Sequence, residues 1–185
     1  MKILGIVCSP RNKGNTELLV AEVLSNAKDL GAEVELLNIA NRNIAPCDAC
    51  DSCKRSGKCK ITDDMDEIYS KLLEADGIIF GTPVYFWSVA AQAKCLIDRT
   101  YALREKRKLR NKVAGIVVVA RRAGATHAFS ELLNFFNIQR MISAGGVIAY
   151  ADVKGEVSKD RRGMAEARSL GRAIVRTIER NKELI

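Results

Sequence analysis

Hydrophobic and polar positions follow two rhythms along this chain. Short apolar runs recur at Lys2–Cys8, Glu33–Ile39, Gly77–Gly81, Val113–Ala120 and Gly146–Tyr150. Between them lie longer segments whose apolar positions fall three and four apart: Asn15–Leu30, Met65–Ala75, Val89–Tyr101, His127–Arg140 and Ser158–Asn181. The first rhythm predicts strands and the second helices. Val113–Ala120 carries no polar side chain, as expected of a strand covered by helices on both faces. In the first helix, Leu19, Val20, Val23, Leu24 and Ala27 share one face. Gly14 permits an unusual turn before it, and Asn15 and Thr16 are good cap residues.

Strict β/α alternation predicts an α/β architecture: an open, doubly wound, five-stranded parallel sheet with helices on both faces. Five strands suit the order 2-1-3-4-5 of flavodoxin-like folds, which bind ligands beyond the carboxyl ends of their strands. The chain shows no repeat, low-complexity segment or domain-scale linker, so one domain over residues 1–185 is expected. Its least regular stretch is an insertion at about 41–62. No apolar run approaches the length of a membrane span. The run Ile3–Cys8 stops at Ser9 and Pro10, too soon for a secretory signal. A cytoplasmic protein without membrane attachment is therefore expected.

The formal net charge is +8. Its densest contribution, Arg104–Lys112, has six basic residues and one Glu and reads as a solvated connection. The basic last helix is interleaved with Glu166, Glu179 and Glu183. There is no nucleic-acid motif, and aromatics are sparse, so a nucleic-acid partner is not expected. Docking of an acidic redox protein is a more economical use of the charge.

Two connections at one sheet edge carry candidate chemistry. The first contains Ser9, Arg11, Asn15 and Thr16 at a helix start. There, N–H groups and the positive dipole end favour an anion, and these side chains complete the site. It lacks G-x-G-x-x-G and the Walker pattern, so a single terminal phosphate fits better than a pyrophosphate or triphosphate. The alternative is a capped helix start and nothing more. The second connection, after the third strand, contains Pro83, Val84, Tyr85, Phe86, Trp87 and Ser88. Three consecutive aromatics in a loop offer a bed for a flat apolar ring. They could equally pack under a helix or at a dimer contact.

Four of the six cysteines, Cys47, Cys50, Cys53 and Cys59, form the pattern C-x2-C-x2-C-x5-C. Clustering of this kind argues for metal or redox chemistry rather than a disulfide frame. Closely stepped thiolates can wrap an iron–sulfur cubane, with a fourth to close it. Lys54, Arg55, Lys58 and Lys60 offset its negative charge. Zinc is the main alternative, although its sites usually separate two C-x-x-C pairs. Cys8 and Cys95 read as small core residues and His127 as a helix-start residue.

The loop containing Ser9, Arg11, Gly14, Asn15 and Thr16 combines with Thr82–Tyr85, Ala91–Lys94 and Ile97–Arg99. Together they resemble the NADPH-dependent FMN reductase family of flavodoxin-like proteins. With four cysteines after the second strand, the chain is similar to that family's iron–sulfur flavoproteins of archaea and anaerobic bacteria. The resemblance implies FMN phosphate binding by Ser9, Arg11, Asn15 and Thr16, and ring contacts from Pro83 to Ser88. It implies a further contact from the loop after the fourth strand, including Arg121 and Gly124. It also implies a [4Fe–4S] cluster on the four cysteines and an electron-transfer oxidoreductase. Ferredoxin or a similar donor, a small-molecule acceptor and a homodimer or homotetramer would accompany that role. An NAD(P)H-dependent FMN or quinone reductase with structural cysteines is the second expectation. A non-catalytic, zinc-stabilised binding domain is the third.

Overall fold

In the computed structural model, which describes residues 1–183, the apolar run Val113–Ala120 forms a fully buried inner strand. The elements in chain order are β1 (Lys2–Val7), α1 (Asn15–Asp29), β2 (Glu33–Asn38), α2 (Ser52–Ser56), α3 (Met65–Glu74), β3 (Gly77–Tyr85) and β4 (Ser88–Val89). Next come α4 (Ala91–Arg99), α5 (Tyr101–Arg104), β5 (Val113–Ala120), α6 (Ala125–Gln139), β6 (Ile142–Tyr150) and α7 (Arg161–Glu183). A 3-10 turn at Glu156–Lys159 precedes α7. The five main strands lie parallel in the order β2-β1-β3-β5-β6. That is the order 2-1-3-4-5 expected of a five-stranded flavodoxin-like sheet, and the fold is flavodoxin-like. The short β4 adds a sixth strand, antiparallel to β3 and off the main path.

Each sheet face has its own core. One contains Ile68 and Leu72 of α3, Leu96 of α4, and Leu132 and Phe136 of α6. The other contains Leu19, Val20 and Val23 of α1 with Leu170, Ile174 and Ile178 of α7. Each fully buried side chain of this size contributes roughly 1.5–3 kcal/mol of transfer free energy. These cores fix the sheet, and the sheet fixes the loops at its carboxyl edge.

Several boundaries depart from the sequence pattern. β3 runs to Tyr85 rather than stopping at Gly81, so Thr82–Tyr85 belong to a strand and not a loop. Pro83 is compatible with this because the pairing of β3 with β1 ends at Gly81, so at position 83 one side of the strand has no ladder partner to lose. β6 starts at Ile142, not Gly146. A bulge between Ala114 and Ile116 breaks its register and obscures the alternation. The helix expected over Val89–Tyr101 is two helices, α4 and α5, parted at Thr100. The final helix begins at Arg161, after Asp160 Oδ1 accepts the Gly163 N–H at 2.9 Å. Helix α2, inside the cysteine segment, was not apparent in the periodicity.

Candidate functional site

Loops after β1, β3 and β5 meet at the carboxyl edge of the sheet. The first leads into α1 through Gly14, with no side-chain hydrogen bond to cap the helix. The helix therefore presents uncapped first-turn N–H groups and its positive dipole end. Ser9 and Thr16 are buried, and Arg11 is exposed. Ser9 Oγ accepts the Arg11 N–H at 3.2 Å. The Asn15 amide is already engaged: Nδ2 donates to Val153 O at 2.8 Å and Oδ1 accepts from Val157 N at 3.2 Å. Asn15 thus ties α1 to the connection after β6. Arg121 likewise pairs with Asp152 at 2.8 Å on the surface.

The second loop is a two-residue hairpin. Val84 pairs with Val89 and Tyr85 with Ser88, leaving Phe86 and Trp87 as the turn. Both have positive φ, 47° and 67°. A type I′ turn requires this and normally recruits Asn-Gly. Left-handed backbone costs an L-residue roughly 1–2 kcal/mol. The turn nevertheless holds two large aromatics, with Phe86 fully exposed at 102% and Trp87 at 60%. Strain and exposed apolar surface together make the tip a candidate binding element.

The third loop braces that tip. Gly124 has φ +83°, and a Cβ there would lie 2.7 Å from Trp87 Cα and 3.0 Å from Val84 Cγ1. Only glycine allows the backbone at 124 this close to the hairpin. The Trp87 ring meets His127 edge-on at 5.5 Å. Glu131 of α6 fixes the hairpin's far strand, accepting from Ser88 Oγ at 2.9 Å and Val89 N at 3.1 Å. Neither His127 as a hairpin neighbour nor Glu131 as its anchor was legible from sequence spacing. An uncapped helix N-terminus and an exposed aromatic tip at one sheet edge suit a phosphorylated planar ring such as FMN.

The four cysteines Cys47, Cys50, Cys53 and Cys59 line one cavity of about 740 Å³. It is walled by the cysteine loop, β4, α4, α5 and α6, including Val89, Ile97, Phe135 and Glu131. Glu131 therefore borders both the hairpin and this cavity. None of the six cysteines is in a disulfide. Among the described residues, no three His, Cys, Asp or Glu side chains gather round a single ion-sized point. Four soft thiol donors facing a wide space fit an iron–sulfur cluster in donor chemistry. Cys53 is pushed up in pKa, first by burial and then by its thiol neighbours. Gly57 in the same segment lies under Lys106, whose Cε and Nζ would be 2.9 Å from a Cβ there. The basic run after α5 thus rests on the cysteine loop, 50 residues earlier in sequence.

The loop is closed at its neck by a buried ion pair. The side chains of Arg99 and Asp63 are 0% and 4% exposed. The guanidinium donates to both Asp63 oxygens at 2.6 and 3.0 Å, to Ala45 O at 2.8 Å and to Ile61 O at 3.1 Å. Asp63 also accepts from Ala45 N at 2.9 Å and Met65 N at 3.0 Å. Burial opposes the Asp63 charge, but these donors outweigh it and hold the carboxyl below its ordinary pKa. Away from the site, Cys8 is buried as expected and its thiol is pushed up to about 12 by burial. Cys95 is only half-buried and does not belong to the core.

The sequence profile of the NADPH-dependent FMN reductase family matches residues 1–154. An iron-sulfur flavoprotein of Methanocaldococcus jannaschii is 42% identical over 97% of this chain and 98% of its own length. An iron-sulfur flavoprotein of Methanosarcina thermophila is 41% identical over 78% of each chain. Among solved structures, RosB with bound 8-demethyl-8-formylriboflavin-5'-phosphate superposes with a TM-score of 0.82 at 18% identity. That match covers 99% of this chain and 81% of RosB. A flavodoxin from the domain Archaea gives a TM-score of 0.64 at 12% identity, covering 97% and 99%. At these identities the structural matches speak for the fold alone.

Proposed function

The chain belongs to the NADPH-dependent FMN reductase family and is an FMN-dependent oxidoreductase, and from that premise we propose that it is an iron–sulfur flavoprotein that transfers electrons between a one-electron donor protein and a small acceptor. One observation carries this: four thiols from a single 13-residue stretch line one cavity beside the strained aromatic hairpin. The names of the Methanocaldococcus and Methanosarcina relatives support the same reading. When bound, FMN exchanges electrons singly or in pairs and a [4Fe–4S] cluster exchanges them one at a time, so the two couple one-electron to two-electron chemistry.

The chain's own residues supply binding and orientation. Ser9, Arg11, Thr16 and the N–H groups of α1 receive the FMN phosphate, while Asn15 shapes the site through Val153 and Val157. Tyr85, Phe86 and Trp87 offer the ring surface, with Pro83, Val84 and Ser88 as its supporting strands. Gly124 and Arg121 approach from the third loop. Cys47, Cys50, Cys53 and Cys59 hold the cluster. Exposed Arg55 and Lys58 lie in the cysteine loop, and exposed Lys106 rests on it. They present an acidic carrier such as ferredoxin with charge of opposite sign. The exposed hairpin and Ile138 favour a homodimer or homotetramer. The protein would work in the cytoplasm, where thiols stay reduced.

The test is anaerobic purification with a visible spectrum and iron, zinc and flavin analysis. Iron with flavin supports the proposal, whereas zinc with flavin refutes the cluster. A second reading, direct reduction by NADPH, has the family's description in its favour. Rapid flavin bleaching by NADPH alone, without a protein donor, would establish it over the ferredoxin route.

A further inference from the structure

Arg99 sits at the end of α4, far from the cysteines in sequence, yet it binds both ends of their loop. Its acceptors Ala45 and Ile61 stand two residues before Cys47 and two after Cys59. All four terminal N–H positions are used, and only Nε lacks a partner. Arg99 also lines the cavity that the four cysteines line. Tyr69 of α3 donates its hydroxyl to Arg99 O at 2.7 Å, fixing the helix end from the other side. The loop's internal restraints are solvent-exposed: an Asp48–Lys60 ion pair and a Lys54–Asp51 ion pair, each at 2.9 Å, and Ser56 Oγ donating to Ser52 O and Lys58 O. Its one helix, α2, has five residues and buries none of them, and Ala49 and Asp51 have positive φ. Exposed contacts of this kind contribute little, so the buried contacts at the neck are what tie the segment to the fold.

We propose that Arg99 is a positioning residue for the cluster: with Asp63 it clasps the neck of the cysteine loop, and its buried charge acts on the cluster's potential. The proposal rests on the cysteines holding an iron–sulfur cluster, as argued above. A full positive charge in a low-dielectric wall favours the more negative, reduced cluster, and the Asp63 charge opposes it. Removing one partner or the other therefore opens the same clasp but changes the local charge in opposite directions.

The test uses the full chain with Arg99→Met, Arg99→Lys and Asp63→Asn. Hydrogen exchange of amides 45–63 is read in the metal-free protein. Iron content, FMN content and the cluster's midpoint potential are read after anaerobic reconstitution. Expected are exchange at least about tenfold faster in that segment for all three variants, reduced iron and unchanged FMN. The potential should fall in Arg99→Met, rise in Asp63→Asn and stay nearest to the wild type in Arg99→Lys. Shifts of the same sign in the first two would overturn the electrostatic role. Unchanged exchange would overturn the clasp.

If Arg99→Met does not fold, the double variant Arg99→Met with Asp63→Leu replaces it, since an apolar pair can substitute for a buried ion pair. It should fold and still show fast loop exchange. A wild-type protein that binds no iron would refute the cluster reading and the electrostatic role with it, while exchange in the metal-free chain would still decide the clasp.

Discussion

Replacing Phe86 with Asn and Trp87 with Gly should make the flavin-free protein more stable and its flavin binding worse. Both positions have left-handed backbone, where Asn and Gly fit with little strain. Two L-aromatics there cost roughly 2–4 kcal/mol together. Against that relief stand the lost Trp87–His127 edge contact, about 0.5–1.5 kcal/mol, and the chain entropy of a new glycine, about 0.5–1 kcal/mol. A net gain of about 1 kcal/mol remains, which in a chain of this size raises Tm by roughly 2–4 °C. Calorimetry of the flavin-free form measures it. Titration of FMN by fluorescence quenching measures the other side. Two aromatic contacts at about 0.5–1.5 kcal/mol each weaken binding by roughly tenfold or more. A flavin-free variant less stable than the wild type would refute the strain argument. Unchanged FMN affinity would refute the hairpin as the ring's bed.

Gly124→Ala forces a Cβ to within 2.7 Å of Trp87 Cα at a φ of +83°, so it should cost roughly 1–3 kcal/mol and weaken FMN binding; urea unfolding and the same titration check both. Cys50→Ser should lose iron and keep FMN, since the cysteines follow β2 whereas the flavin loops follow β1, β3 and β5; iron and flavin analysis would show a contrary coupling. Asp63 has a depressed pKa in the fold, so the stability it adds is present above the unfolded carboxylate pKa of about 4 and is lost as pH falls through and below that value. The difference in Tm between wild type and Asp63→Asn should therefore shrink from pH 7 to pH 3, and a constant difference would contradict it.

What was legible in the sequence was what local pattern determines. The buried strand Val113–Ala120 and the apolar face of α1 could be read directly, because a sheet covered on both sides permits few polar positions. The alternation gave a doubly wound sheet, and the strand order came from the flavodoxin-like fold that five such strands suit. The hairpin was harder. Three aromatics before Ser88 looked like a loop, but Thr82–Tyr85 continue β3 and only Phe86 and Trp87 turn. The usual Asn-Gly signal for such a turn is missing, since Phe86 and Trp87 occupy its two left-handed positions. The split of α4 from α5 was hidden too, since neither Gly nor Pro marks the break at Thr100.

Asn15 and Arg99 show the general reason for what stayed hidden. Asn15 has the residue type of a phosphate ligand, and its place at the helix start was correct. Its partners, Val153 and Val157, lie 138 and 142 residues away, so nothing local could show that its amide was already engaged. Arg99 stood within the stretch that carried the family resemblance, yet its role depends on Ala45, Ile61 and Asp63, more than 30 residues earlier. Sequence motifs identify side chains with suitable chemistry. Whether that chemistry faces a ligand or is spent on holding a loop depends on contacts between distant segments. In this protein the cysteine motif marks four thiols that line one cavity, and a buried arginine from α4 joins the two ends of the loop that carries them.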